Sequence, residues 1–276
     1  MILLVGLRYD PIIKYLFKTL MATKLKIAFI DQQCLGNNII INDTCISSKA
    51  PNWRIEHSQV QAVINRLVGY PKQHISSHYK QLDRMIYYLD IVYPNVINKP
   101  SMGLNNNSKP LQLSMLKLKN CQIPDSYICA GSKSPEVKDL IFKSISSVRS
   151  IVQKVTEDKF VHEPVLFQKR CNGKNIRVHC LGTNYVATAI SATEIDYRYD
   201  TKNTIEQVTI PNEILEECIS LNEQLGLTFS GIDFIKDKDE WTLLEVNSSP
   251  GYAYYENKLL HKPISQILIN HLTAIT

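Results

Sequence analysis

The chain has 276 residues, of which 44% are hydrophobic and 21% are charged, and its formal net charge is +5. These values describe an ordinary globular protein that is long enough for one large domain or two to three small ones. The modest positive charge is scattered along the sequence, so it favours acidic ligands such as nucleotides and gives no indication of a nucleic-acid-binding protein.

The sequence predicts neither a secretion signal nor a membrane span. The opening "MILLVGLRYDP" is apolar, but it lacks a basic n-region and is interrupted by Arg8, Asp10 and Pro11. No stretch reaches the roughly 18 continuous apolar residues that cross a bilayer. The seven cysteines form no CxxC pair and no metal-finger spacing with histidines, which is typical of a reduced interior. We therefore expect a cytoplasmic protein without a membrane partner.

The first hundred residues predict a parallel sheet. "ILLVGL" reads as a buried strand, "DPIIKYLFKTLMATK" as a helix with Asp10 as N-cap and Pro11 at its first position, and "LKIAFID" as a second strand. Strand, helix and strand form a βαβ unit, which implies parallel pairing. The single Gly6 makes no dinucleotide fingerprint, so we assign no nucleotide site to this end.

Further along, "SSHYKQLDRMIYYLDIVYP" predicts a helix and "NVINKP" a closing strand. The Asn-rich, proline-flanked "KPSMGLNNNSKP" is typical of a linker, and we place a domain boundary there. Beyond it the pattern predicts an α+β body. Its expected elements are a helix from about Lys109, a strand at "IPDSYIC", a short helix at "SPEVKDL", strands near 140–146, 148–154, 164–168, 175–181 and 185–192, and helices at "PNEILEECISLNEQLG" and "ISQILINHLTAI".

The stretches "FSGIDFIKDKDEW" and "WTLLEVNSSPG" predict a hairpin that gathers oxygen ligands. Glu245 and Asn247 are two residues apart, so they share one face of a strand. Folding the hairpin brings Asp233 toward them. Two carboxylates and an amide oxygen are the hard ligands that Mg²⁺ accepts beside nucleotide phosphates. The alternative is a solvated strand end that opens a turn.

An Asp followed after twelve residues by Glu and after two more by Asn, within "GIDF...LEVNSSPG", resembles the metal-binding end of ATP-grasp ligases. The similarity is to the branch of the ribosomal-protein glutamyl ligases and the graspetide (microviridin-type) peptide macrocyclases, and it covers about 98–272 well. It implies an α/β pre-ATP-grasp domain with a parallel sheet over 1–100, followed by an α+β ATP-grasp domain over 101–276. Within the latter it implies a central lid subdomain at about 109–168 and a C-terminal subdomain at about 169–276.

The resemblance also implies a role for each candidate site residue. These are metal ligation by Asp233, Glu245 and Asn247, phosphate contact by Lys109 and Lys143, adenine and ribose contact by Gln168, Lys169, Arg170 and Asn175, and catalysis by Arg177 and Arg198. Three of these residues have a simpler alternative. Lys109 then begins a surface helix, Lys143 is an edge-strand lysine facing water, and Arg198 forms a surface ion pair.

Three expectations depend on how far this resemblance extends. It implies a strand near "AVINRL", whereas the apolar spacing of "QVQAVINRLVGYP" predicts a helix, and both stay open. The region 146–150 lacks the glycines that commonly cover the phosphates in such proteins. We also expect this chain to be short for that branch.

The function that the resemblance implies is an ATP-dependent carboxylate–amine ligase. It forms an amide or ester bond through an acylphosphate and takes ATP, Mg²⁺ or Mn²⁺, a carboxylate and an amine, with a precursor peptide as one substrate candidate. A homodimer is compatible with it. The alternatives are a small-molecule kinase of the same fold and a nucleotide-binding pseudoenzyme.

Overall fold

The computed structural model describes residues 1–36, 38–68, 76–133, 135, 138–145, 152–155, 160–191 and 202–276. The N-terminal part begins with a βαβ unit, as predicted, and continues through a small antiparallel sheet. Its elements are β1 (Ile2–Gly6), α1 (Pro11–Met21), β2 (Ile27–Asp31), β3 (Ile39–Ile41), β4 (Cys45–Lys49), β5 (Asn52–Glu56), β6 (Ala62–Arg66), α2 (Ser76–Tyr87) with a π-helical turn (Tyr88–Val92), and β7 (Val96–Ile97). Strands β2, β1, β6 and β7 pair in that order, all parallel.

Helix α1 begins as the sequence indicates. The Asp10 side chain accepts a hydrogen bond from the N–H of Ile12 at 2.8 Å, and Pro11 occupies the first turn, where a missing N–H costs nothing. Its apolar stripe packs on the sheet through Ile13 and Leu16.

The segment left open between helix and strand is strand β6. Ala62, Val63 and Ile64 are buried in succession because β6 is an inner strand between β1 and β7. An inner parallel strand is covered on both faces, so it carries an unbroken apolar run rather than an alternation. Such a run cannot be distinguished from a buried helix by spacing alone. Strands β3 to β5 were not predicted, because they are short and mix polar with apolar residues.

After a 3₁₀ segment (Pro100–Asn107), where we expected a linker, the second part is an α+β body. Its elements are α3 (Lys109–Leu118), β8 (Ser126–Cys129), β9 (Ser132–Lys133), β10 (Leu140–Ser144), β11 (Gln153–Lys154), β12 (Phe160–Val161), β13 (Val165–Lys169), β14 (Lys174–Leu181), β15 (Asn184–Ser191), β16 (Thr204–Val208), α4 (Asn212–Leu225), β17 (Phe229–Asp237), β18 (Glu240–Asn247), α5 (Ala253–Glu256) and α6 (Pro263–Ala274).

Within the described residues this body contains three antiparallel sheets. Their strand orders are β11-β10-β13-β8, β16-β15-β14-β17-β18 and the two-stranded β12-β9. Three of the seven residues of the expected short helix at "SPEVKDL" lie outside the described residues, and the other four are not helical, since the last of them, Leu140, begins strand β10. Most of the expected strand at 148–154 also lies outside the described residues. The parallel N-terminal sheet and the mixed body after it confirm the predicted fold class.

The five-stranded sheet separates two cores. Helices α3 and α4 pack on one face with Leu116, Cys218 and Leu221. On the other face α6 and the N-terminal sheet pack against residues such as Phe229 and Leu181. Because this second core crosses the predicted boundary near residue 100, the division into 1–100 and 101–276 stays a prediction. None of the described helices is long and apolar enough to span a membrane.

Candidate active site

The hairpin of β17 and β18 carries the predicted metal ligands, and a β-bulge sets their register. From the turn outward the two strands pair regularly up to Phe234 and Leu243. The next pair is Asp233 with Glu245, so Leu244 is an extra residue on β18. Directly paired residues of an antiparallel sheet project to the same face. The bulge therefore places the two carboxylates side by side.

The bulge also decides which side chains of β18 face the core. Leu243 and Val246 are three residues apart, yet each is only 1% exposed. In an unbroken strand Glu245 would share the face of Leu243, because alternate residues point the same way. One extra residue reverses the alternation, so Glu245 and Asn247 lie on the face opposite to that of Leu243 and Val246.

Each carboxylate has a cationic partner. Arg177 on β14 is the sheet neighbour of Asp233, and its Nη1 donates to Asp233 Oδ2. On the other side of the pair, Lys109 Nζ lies 3.1 Å from Glu245 Oε2. The cationic side chains are 7% and 12% exposed, so protein partners rather than water hold them. Arg177, Asp233, Glu245 and Lys109 thus form a row in which the two carboxylates lie between the two cations.

Gly231 leaves the space that the Arg177 guanidinium occupies. A Cβ on Gly231 would lie 2.7 Å from Nε and Nη2 of Arg177. Because Gly231 is paired with Asn247, the guanidinium also reaches that amide. When the amide is oriented to match donors with acceptors, its oxygen accepts from Arg177 Nη1 at 2.9 Å and its nitrogen donates to Glu245 Oε1 at 3.0 Å. The Arg177 Cζ atom lies 5.6 Å from the ring centroid of Tyr255.

Helix α3 fixes the position of Lys109. Gln112, buried one turn later on the helix, donates to the carbonyl of Val246 at 2.8 Å and accepts from its N–H at 3.0 Å. Residues three apart lie on the same helix face, so Lys109 faces β18 as well. At the helix start its N–H donates to the carbonyl of Ile145 at 3.0 Å. Lys109 is therefore not the solvated surface lysine that was the alternative.

Lys143 lies on an inner strand and belongs to a polar chain. Strand β10 is flanked by β11 and β13, so Lys143 is not an edge-strand lysine. Its Nζ donates to Gln168 Oε1 at 2.7 Å, and Gln168 Nε2 donates to Ser126 Oγ at 3.1 Å. The Gln168 side chain is thus engaged with the predicted phosphate lysine.

Burial and neighbouring charges together set the pKa values of three side chains in the site. Burial, and after it the charge of Lys109, lowers the pKa of Lys143 to about 8. Burial alone would raise the pKa of Glu245, but Lys109, Arg177 and Lys143 outweigh it and leave this pKa lowered. For Asp233 burial dominates, and with the nearby Glu245 it raises the pKa despite Arg177. The site holds more positive charge than its two carboxylates need.

Two backbone N–H groups of the predicted adenine hinge already donate to carbonyl oxygens of the protein. The backbone N–H of Lys169 donates to the carbonyl of Asp125 at 2.9 Å, and that of Arg170 donates to the carbonyl of Asp139 at 2.8 Å. An adenine ring bound here would take its hydrogen bonds from other groups of the hinge. Asn175, the predicted ribose contact, is half-buried and lies two residues before Arg177, on the same face of β14.

Two sequence predictions lie outside the described residues. One is the catalytic role of Arg198, and the other concerns the glycine-poor region at 146–150.

Three residues that support the site were not predicted. Gly231 had a signal, since a glycine inside a strand marks a close backbone or side-chain approach. Gln112 had a weaker one, because a polar residue within an apolar helix stripe is buried only when it is satisfied. Tyr255 had none, since "GYAYYENK" offers three tyrosines and no rule that selects one.

The donor set fits Mg²⁺. Two carboxylates and an amide oxygen are hard oxygen ligands, and Mg²⁺ at nucleotide sites takes one or two carboxylates while phosphates and waters complete its shell. Nowhere in the described part of the chain do three His, Cys, Asp or Glu side chains gather into a metal cage. The candidate ligands are Asp233, Glu245 and Asn247, so a bound nucleotide would have to supply the rest.

Comparison with known proteins identifies the family. The sequence pattern of the ATP-grasp domain matches residues 107–251, which is more than half of the chain. The chain belongs to the ATP-grasp family. This confirms the resemblance that rested on the spacing of Asp233, Glu245 and Asn247.

Curated relatives of this ATP-grasp chain include proteins of Coxiella burnetii named probable alpha-L-glutamate ligase, from strains Dugway 5J108-111 and RSA 493 / Nine Mile phase I. They are 29% identical over 150 residues, which covers 48% of this chain and 50% of theirs. The chain thus spans about half the length of the curated relatives it matches.

Solved structures with a similar fold include ATP-grasp ligase PsnB complexed with a minimal precursor, with a TM-score of 0.76, 21% identity and coverage of 98% of both chains. Macrocyclase MdnC bound with precursor peptide MdnA from Microcystis aeruginosa MRC has a TM-score of 0.74 and 18% identity, and the alignment covers 98% of this chain and 100% of that one. At these identities the likeness concerns the fold. The alignments cover nearly the whole of each of these neighbours.

Proposed function

We propose that this ATP-grasp chain is a carboxylate–amine ligase that uses ATP and Mg²⁺ to form an amide or ester bond through an acylphosphate. The observation that carries the proposal is the row of Arg177, Asp233, Glu245 and Lys109, with Asn247 beside it. Such a row offers oxygen ligands for a divalent cation and, on both sides of them, cations for phosphate oxygens. Phosphoryl transfer needs this combination because the transferred group carries dispersed negative charge.

Each residue then has a defined task. When bound to Asp233, Glu245 and Asn247, Mg²⁺ would neutralise phosphate charge and align the nucleotide. Lys109 and Lys143 hold the phosphates as point charges. The other proposed contacts are adenine by the hinge at Gln168, Lys169 and Arg170, ribose by Asn175, and the transferred group by Arg177 and Arg198, whose planar guanidinium groups offer several donors in fixed geometry.

The reaction proceeds in two balanced steps. A substrate carboxylate oxygen attacks the γ-phosphorus, the bond to the β-phosphate oxygen breaks, and ADP leaves while an acylphosphate forms. An amine then attacks the acyl carbon, the bond from carbon to the phosphate oxygen breaks, and phosphate leaves. The amine proton passes to solvent, and one amide bond has formed. A hydroxyl acceptor in place of the amine gives an ester.

The proposed substrate is a peptide. Neighbours of the same fold are described as complexed with a precursor peptide, or with a leader and core peptide and ADP. The curated relatives carry glutamate ligase in their name, so a glutamate or glutamyl carboxylate is the first donor to try. Peptides that contain Glu or Asp together with Lys, Ser or Thr supply both reacting groups.

An oxygen-transfer experiment tests the reaction class. Peptides with ¹⁸O-labelled carboxylates are incubated with ATP, Mg²⁺ and the chain, and the released phosphate is analysed by mass spectrometry. A ligase transfers one ¹⁸O atom from the carboxylate to phosphate and makes a product lighter by one water. A phosphorylated product without label in free phosphate indicates the kinase alternative. A chain that binds ATP and releases no ADP with any acceptor is the pseudoenzyme, and either result contradicts the proposal.

A further inference from the structure

The end of β18 is held by two side chains that come from the N-terminal sheet. Asn98 follows β7, and Arg66 is the last residue of β6. The carboxyl ends of parallel strands meet at one edge of a sheet, so both residues lie at the same edge. The segment they contact is 248–250, which follows Asn247 directly.

Asn98 uses its whole amide to join the two strands of the hairpin. Its Nδ2 donates to the carbonyls of Phe229 and Ser248, both at 2.5 Å. Its Oδ1 accepts from the N–H groups of Thr228 at 2.7 Å and Phe229 at 3.0 Å. The Asn98 side chain therefore links the start of β17 to the residue after Asn247. It acts beyond the pair of Gly231 and Asn247, where the strand ladder ends.

Asn98 is itself buried and is held by a hydrogen bond to its backbone. Asn98 is 5% exposed, and its own carbonyl accepts from Asn65 Nδ2 at 2.7 Å. A buried amide whose donors and acceptors are all matched has one favourable arrangement, because any other leaves an unsatisfied polar group. The position of Ser248 relative to β17 is thereby set.

Arg66 holds the same segment from a second side. Its Nη1 donates to Ser249 Oγ at 2.8 Å, while its Nε donates to Asp10 Oδ2 at 2.7 Å. The other oxygen of Asp10 accepts from the N–H of Ile12 at the start of α1. Arg66 and Asp10 are 16% and 15% exposed, so this ion pair is largely shielded from solvent. One arginine thus ties the loop to helix α1.

We propose that Asn98 and Arg66 are positioning residues for the metal site: they fix 248–250 and so set where the Asn247 oxygen stands relative to Asp233 and Glu245. This inference rests on the proposed function, because it assumes that Asn247 ligates Mg²⁺. The hydrogen bonds of both side chains go to residues other than Asp233, Glu245 and Asn247. Each acts through the backbone of the loop, as outer-shell residues orient metal ligands.

The test separates positioning from simple stabilisation. Full-length wild type and the variants Asn98→Ser, Arg66→Lys and Asn222→Ser are compared by calorimetry for ADP affinity, with and without Mg²⁺, and by thermal unfolding. Asn222 is a matched control, because it is a buried amide that donates to the carbonyl of Cys180 on the core face of the sheet. Lysine in place of Arg66 keeps the charge but lacks the planar, fixed set of donors by which Nε bonds Asp10 while Nη1 bonds Ser249.

For Asn98→Ser and Arg66→Lys we expect ADP affinity without Mg²⁺ to stay within about twofold of wild type. The gain in ADP affinity on adding Mg²⁺ should fall by roughly tenfold or more, because this is the usual effect of removing an outer-shell partner. Asn222→Ser should lower the melting temperature and keep the gain. If Asn98→Ser and Arg66→Lys keep the full gain, the residues are structural and the inference fails, although the proposed function stands. A wild type without any Mg²⁺ gain contradicts both. Should Asn98→Ser not fold, Arg66→Lys decides alone.

Discussion

The two faces of the five-stranded sheet are built from alternate residues of the same strands, yet around Asp233 they have opposite chemistry. On the face toward α3 and α4, Val178, Ile232 and Leu243 are almost fully buried in an apolar core. On the other face Arg177 and Asp233, their direct neighbours in sequence, form a buried ion pair. The core face stabilises the fold by removing apolar surface from water. The site face holds charges that burial disfavours, and they persist because each has a partner.

This contrast teaches that near the site, stability and chemistry depend on which face of the sheet a side chain occupies. There, substitutions of apolar residues that pack on α3 and α4 should lower stability and spare chemistry, whereas substitutions of the charged residues on the other face should do the reverse. The bulge at Leu244 is the point where the parity changes, so β18 provides both kinds of test within a few residues.

The largest effect is expected from Glu245→Gln. It removes one of the two carboxylate charges but keeps the size and an oxygen that Lys109 can bond. We expect turnover to fall by roughly a hundredfold or more, because a divalent ion at the site loses an anionic ligand. The melting temperature should change little. Steady-state ADP release over a range of Mg²⁺ concentrations, beside thermal unfolding, measures both.

Glu240→Gln is the matched control, because Glu240 starts the same strand and is exposed at the turn. It should leave turnover and stability unchanged. Full turnover of Glu245→Gln would remove Glu245 from the metal site.

The next effect is on the opposite face. Leu243→Ala deletes part of a side chain that is 1% exposed, so unfolding should become easier by about 2–5 kcal/mol through lost burial and a residual cavity. At about 2–4 °C per kcal/mol for a domain of this size, the melting temperature should fall by roughly 4–20 °C. Turnover per folded molecule should stay near that of the wild type, measured well below the transition.

Leu118→Ala removes the same atoms from a side chain that is 84% exposed, and we expect no measurable change in melting temperature. If Leu243→Ala instead reduced turnover as strongly as Glu245→Gln, the two faces would not be separable.

A smaller effect is expected from a change at Gly231, which lies beside Arg177 on the face that carries the site. In Gly231→Ala the new methyl group would lie 2.7 Å from the Arg177 guanidinium, which would have to move from Asp233 and Asn247. We expect roughly a 10- to 100-fold loss of turnover, the usual result of displacing a catalytic group by about 1 Å. Gly103→Ala is the control, since its Cβ would meet only Ser248 Oγ at 3.5 Å. Equal turnover of both variants would mean that Arg177 need not occupy this position.

The sequence predicts most of the fold for reasons that are local. The Asp10 cap with Pro11, the apolar run of β1 and the hairpin turn before Glu240 are short-range signals, and each element forms where they indicate. Strand β6 could not be distinguished from a helix, because its inner position in the sheet, which removes alternation, is a tertiary property.

Sequence spacing predicts only part of the site. The interval from Asp233 to Glu245 identified the hairpin, but a regular two-residue turn pairs Asp233 with Leu244, and only the bulge corrects this. Nor does any local rule bring Lys109 to Glu245, since that contact depends on how α3 packs on β18. The roles of all these residues remain predictions until they are measured.

The smallest expected effect is a pH dependence of nucleotide binding that Lys143 controls. Its pKa in the folded protein is lowered to about 8 by burial and by Lys109, whereas an unfolded lysine titrates at its ordinary higher value. Between these values the unfolded chain holds more protons, so this group makes the fold more stable as pH rises through the window. Phosphate binding has the opposite preference, because it needs the ammonium form. We expect ATP affinity to fall as pH rises past about 8.

Bound phosphates should also raise the pKa of Lys143 again, so ATP binding near pH 8 should take up protons. Calorimetry in buffers of different ionisation enthalpy measures this uptake directly. Lys143→Arg is the control, since a guanidinium stays charged across the range. If the longer side chain of Lys143→Arg still reaches the phosphates, the ATP affinity of this variant should not change with pH over this range. ATP binding to it should also take up fewer protons. An unchanged proton uptake in Lys143→Arg would place the titrating group elsewhere and would remove Lys143 from the phosphate contacts.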